Sequence, residues 1–127
     1  MNWPLVLAGV IGVTAALVHG VVGDRIVRRS TSKSVGGTAA FLIRVTWHFT
    51  TIAFGVMGIA LVVAGVAPDA AGSNGIAYAG ALLFSCWSAF VLIAGFARGG
   101  IRGWVAHPAP LLLSAAAALS WWGTTWP

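Results

Sequence analysis

Four apolar runs, each long enough to cross a lipid bilayer, fill most of this chain, and its seven Lys and Arg residues cluster in or beside only two of the three breaks between them. A spanning helix needs about 20 mostly apolar residues, because the hydrocarbon layer is roughly 30 Å thick and each residue rises about 1.5 Å. Residues 3–22, 39–66, 75–97 and 105–126 meet that length. Strands are the poorer reading, since the runs are too long and lack the alternation of a barrel strand. A soluble fold is excluded. In a chain of 127 residues the interior is too small to hide a composition that is 59% hydrophobic and 7% charged, with a mean hydropathy of +0.95. The expectation is an all-α membrane protein: a single domain, 1–127, forming a four-transmembrane-helix antiparallel bundle.

The breaks carry turn chemistry. Residues 23–38 hold Arg25, Arg28, Arg29 and Lys33 ahead of Gly36 and Gly37. Residues 67–74 read APDAAGSN, where Pro68 stops one helix and Asn74-Gly75 turns the chain. Residues 98–103 read RGGIRG. Pro108 and Pro110 fall in the first turn of the last run, where proline is tolerated because the first amides lack intrahelical partners.

Lys and Arg beside membrane spans are retained on the cytoplasmic side. The basic loops 23–38 and 98–103 are therefore expected in the cytoplasm, with both termini on the non-cytoplasmic side of the inner cell membrane. No basic residue precedes the first run, so it reads as a retained helix rather than a signal peptide. The net charge of +5 follows from this topology and would draw the loops to anionic lipid head groups. No motif supports nucleic-acid binding. The single cysteine, Cys86, excludes an intramolecular disulfide and reads as a small buried residue.

In lipid, helices associate through small residues and through polar side chains that find partners. Such residues recur at steps of three and four in each run. The first run shows Ala8, Gly12, Ala15 and His19. The second shows Arg44, His48, Thr51, Gly55, Gly58, Val62 and Gly65. The third shows Tyr78, Ala81, Ser85, Ser88, Leu92 and Gly95, and the fourth His107, Leu111, Ser114, Ala118 and Trp121. These stripes are the expected inward faces. Six of the seven tryptophans fit interfacial belts, and Trp87 lies near mid-membrane.

One feature points to a site. All three histidines, His19, His48 and His107, lie about 6–9 Å inward along a helix from a basic residue (Arg25, Arg44 and Arg102), and each falls on an expected inward stripe. Ionisable groups inside a membrane usually face an interior or a water-filled space, and neutral imidazole is the commonest metal ligand. The leading reading is a transition metal or haem held by His19 and His48, with His107 as a third ligand or as a partner behind the ligands, and Asp24, Arg44 and Thr51 as polar neighbours. Other readings are a proton relay or polar entrance, structural contacts near the head groups, a non-catalytic accessory or scaffold subunit bound to a membrane partner, and a transporter needing a homo-oligomer. No phosphate-binding loop occurs and Ser85, Ser88 and Ser114 have no acidic partner nearby in sequence, so the sequence offers little for an enzyme and leaves that question open.

The run His19-Gly20-Val21-Val22-Gly23-Asp24-Arg25, followed by Trp47-His48, resembles a pattern in uncharacterised small bacterial four-helix integral membrane proteins. The likeness covers the first two runs best and extends to the others in hydropathy and in the His107-Pro108 start of the fourth. It implies an inner-membrane protein, supplies no activity, and marks His19, Asp24 and His48 as positions with a role.

Overall fold

Asn2 ties together the ends of three helices, and the register of the fold follows from it. Its backbone N–H donates to the Gly65 carbonyl at 2.8 Å, and its side-chain amide donates to the Gly123 carbonyl at 2.7 Å. Its side-chain oxygen accepts from the Leu5 N–H and so caps the first helix. A computed structural model describes residues 1–34, 36–105 and 109–127, and His107 with its Pro108 lies outside the described residues.

The described residues are helical throughout, apart from short ends and turns, with no strand among them. Helix α1 spans Trp3–Val18 and passes through a π-helical turn, His19–Gly23, into α2, Asp24–Ser34. Helix α3 spans Gly37–Val66, α4 Ser73–Val105 and α5 Ala109–Thr124. The stretches Trp3–Ser30, Gly37–Val66 and Ser73–Ala97 are long and apolar enough to cross a membrane.

Two basic stretches read as loops are helical instead. Residues 24–34 form α2, because nothing between Asp24 and Gly36 breaks a helix and Asp24 pairs with Arg28 one turn on. Residues 98–103 belong to α4 despite their glycines, and Gly100 takes a left-handed φ of +58° there. The turn after α3 lies where expected. It closes with the Ser73 hydroxyl donating to the Ala67 carbonyl at 2.9 Å, and Gly72 supplies a φ of +91° that a side chain would resist.

Helix α3 returns along α1, with paired positions running in opposite order: Gly65 beside Val6, Gly58 beside Gly9 and Val13, Gly55 beside Ala16, and Thr51 beside Gly20. The approach is close enough that a Cβ on Gly58 would sit 2.7 Å from the Val13 backbone nitrogen. Glycine permits this, and short backbone separations give dispersion contacts that lipid cannot match. Helix α4 meets α3 through Phe84 on Phe54 and Gly80 on Leu61. Helix α5 closes on α4 through a Ser88–Ser114 hydroxyl pair at 2.6 Å, and on α1 where Gly123 receives Leu5. Phe54, Leu61 and Phe84 fill the middle of the core, with Leu5, Leu113 and a lining of alanines.

The expected inward stripes hold best where glycine sits: Gly12, Gly58 and Gly65 are buried. The fourth stripe is out of phase. Leu113, Ala116, Ala117, Ser120 and Gly123 face inward, while Leu111 (68% exposed), Ala118 and Trp121 face out. Tyr78 is exposed too, as is Cys86, which is not the buried residue expected. Leu and Ala are at home against either lipid or protein, so composition alone does not orient them. The outward faces of α1, α3 and α4 are rows of large apolar side chains such as Leu17, Phe49, Ile59 and Ile93, the surface of a helix in contact with a bilayer. At the far end from the arginines, Trp3, Trp122 and Trp126 pack edge to face with centroids 4.7–5.4 Å apart.

Candidate functional site at the basic end

The π turn decides which side chains meet. At about 100° per residue, an ordinary α-helix would leave His19 and Asp24, five residues apart, about 140° from each other around the axis. An i→i+5 turn brings them toward one line. Both face α3: His19 meets Trp47 and Thr51, and Asp24 meets His48. Trp47 and His48 are neighbours in sequence, so one dipeptide of α3 grips both ends of the turn. Gly20 and Gly23 make the grip possible. A Cβ on Gly23 would overlap the Trp47 indole, and one on Gly20 would come to 3.0 Å from the Thr51 methyl.

His19 is fixed at three places. Its ring stacks on Trp47 with centroids 3.7 Å apart and planes 8° from parallel. Its carbonyl accepts a hydrogen bond from the Trp47 indole N–H at 3.0 Å. Its Nδ1 lies 2.8 Å from the Thr51 hydroxyl oxygen, and that hydroxyl also lies 3.1 Å from the Trp47 carbonyl. A carbonyl only accepts, so the single Thr51 proton goes to Trp47. Both contacts are then hydrogen bonds only if His19 Nδ1 carries the proton and donates to Thr51. The half-buried imidazole is thereby set in the Nδ1–H tautomer, with a lone pair on Nε2.

Asp24 opens α2. Its Oδ2 accepts from Arg28 Nε at 2.6 Å. Its Oδ1 is buried, has no hydrogen-bond partner among the described residues, and lies 3.4 Å from His48 Nε2. That separation is longer than a good hydrogen bond, so the contact is an electrostatic pairing when His48 is protonated. His48 is about half exposed, with 47% of its side-chain surface accessible.

Beside this cluster, an open depression of about 410 Å³ is lined by His19, Leu42, Ile43, Thr46, Trp47, Thr50 and Trp87. Its walls are chiefly apolar. The Thr50 hydroxyl is turned back on its own helix, donating to the Thr46 carbonyl at 3.0 Å.

Of the residues singled out in the sequence, His19, Asp24, His48 and Thr51 therefore meet at one end of the molecule. Arg44 is exposed, one turn before His48. His107 lies outside the described residues. Among the described residues, no three His, Cys, Asp or Glu side chains are grouped so as to hold a metal ion. Sequence reasoning gave Trp47 an interfacial place and no other role; it is also the platform for His19. It also passed over Gly20 and Gly23, whose spacing opposite Trp47 and Thr51 is the available signal. No family model, curated protein or solved structure matches the chain.

Proposed function

We propose that this chain is an inner-membrane protein with four spans in one antiparallel bundle, both termini on the non-cytoplasmic side, and a cytoplasmic end that binds a metal centre through His19. The fourth span is α5, whose 16 described residues rise about 24 Å and continue in an apolar run to Trp126. The basic helix α2 and Arg44 mark the cytoplasmic end by the retention of positive charge.

The observation that carries the metal reading is the relay from His19 Nδ1–H through Thr51 to the Trp47 carbonyl. Metal-binding imidazoles almost always donate their second ring nitrogen to a fixed acceptor, which sets the tautomer and the ring orientation. His19 has that arrangement, together with the stacked Trp47 wall that holds its ring. His48 and Asp24 set the charge beside it. The packed middle of the core, with Phe84 and Leu61 fully buried, favours a site at one end over a path through the bundle.

The test is elemental analysis of protein purified through a tag that contains no histidine. Near-stoichiometric iron, copper or zinc is expected in the parent protein and its loss in His19→Ala, with helicity and elution profile unchanged. A folded His19→Ala protein that keeps its metal would end this reading.

A further inference from the structure

We propose that the outer face of α2 binds an anionic phospholipid, with its phosphate held by Arg25 and Arg29 and its acyl chains lying along Val22 and Ile26. The first argument is order. A loop would offer lipid only a diffuse positive field, whereas Asp24–Ser34 is helical and sets its side chains in rows. Arg25 and Arg29 stand one turn apart, and both are exposed. Asp24 is engaged elsewhere: it pairs with Arg28 at 2.6 Å and meets His48 of α3. Arg25 and Arg29 lie about 100° and about 140° around the axis from Asp24, away from that contact. Between residues 19 and 51 the chain carries five basic side chains and a single carboxylate, Asp24, so this end keeps a large positive excess.

The second argument is depth. Asn2 donates to the Gly65 carbonyl, so the far ends of α1 and α3 are level. From Trp3 to Arg25, and from Gly65 to Arg44, each helical path rises about 32 Å, slightly more than the hydrocarbon layer of roughly 30 Å. Two helices therefore bring exposed arginines to the plane in which lipid phosphates lie. The third argument is the surface beside them. Val22 and Ile26 are 50% and 59% exposed, and Ile26 lies next to Arg25 and one turn before Arg29. A dissolved phosphate has no use for that apolar strip, whereas a phospholipid engages both halves. Guanidinium also matches phosphate in geometry, through paired N–H donors. The proposal stands whether or not His19 holds a metal.

The experiment titrates the purified full-length chain in detergent with phosphatidylglycerol, or with phosphatidylcholine of the same acyl chains, and counts bound lipid by native mass spectrometry. Phosphatidylglycerol is expected to bind about tenfold or more tightly than phosphatidylcholine, and inorganic phosphate should not displace it. Arg25→Gln/Arg29→Gln should lower its affinity about tenfold or more, with helicity unchanged. Arg98→Gln/Arg102→Gln, which removes the same charge elsewhere, should keep the preference. Equal affinity for the two lipids would overturn the proposal. An equal loss in the two double variants would overturn it too, because the attraction would then be diffuse. Displacement by inorganic phosphate would make the arginines a site for a free anion and end the lipid claim.

Discussion

Gly58 and Gly55 lie three residues apart on α3, and replacing each by Ala should have opposite effects. A Cβ on Gly58 would stand 2.7 Å from the Val13 nitrogen and 2.8 Å from the Gly9 carbonyl oxygen, both backbone atoms of α1. Neither can move aside by changing a rotamer. To reach an ordinary contact of 3.4 Å, α1 and α3 must part by about 0.7 Å at this point. A gap of that size forfeits roughly a quarter to a half of the dispersion energy between the facing atoms. The loss would be felt along the paired positions from Gly65 to Thr51, because the two helices are rigid rods. Set against the gain of about 1 kcal/mol that Ala brings to a helix interior over Gly, Gly58→Ala should still destabilise by about 2 kcal/mol. On Gly55 the added methyl would meet only the Ala16 Cβ, at 3.7 Å. Gly55→Ala should therefore be neutral or mildly stabilising. Unfolding of the two variants in the same detergent, followed by circular dichroism, gives the comparison. Equal stability of Gly58→Ala and Gly55→Ala would refute the claim that backbone contact between α1 and α3 holds the fold.

Three further outcomes follow from the same geometry. Gly23→Ala should push Trp47 off His19 and break the indole bond to the His19 carbonyl, seen as a red-shifted tryptophan emission and a loss of about 1–3 kcal/mol; an unchanged emission spectrum would count against the stacked arrangement. Thr51→Val removes the acceptor that holds His19 Nδ1–H, so metal affinity should fall roughly tenfold to a hundredfold while Thr51→Ser keeps it, as competition titrations would show. Leu113→Ala should cost about 2 kcal/mol or more, because Leu113 is buried between α5 and its neighbours, whereas Leu111→Ala should change little. The reverse order in thermal unfolding would restore the phase of α5 read from the sequence.

How much of this was legible in the chain differs from element to element. The helical membrane character was plain, because length and hydropathy are the two quantities a bilayer tests. The close face of α3 was legible at Gly58 and Gly65, because only small residues allow two backbones to touch. The phase of α5 was not legible: its Leu and Ala residues are equally comfortable against lipid and protein, and the choice falls to whichever face best fits Asn2, Leu5 and Ser88. The candidate site divides in the same way. Imidazole, carboxylate and hydroxyl near one membrane boundary could be named from spacing along the chain. Their pairing could not, because His19 and Asp24 diverge on a regular helix and converge only through the π turn. What the sequence determined by itself is thus the solvent this protein needs and the end at which its polar residues gather. The tertiary structure alone decided which nitrogen of His19 carries the proton, since that depends on Thr51 and Trp47, more than 25 residues away, arriving on the facing helix.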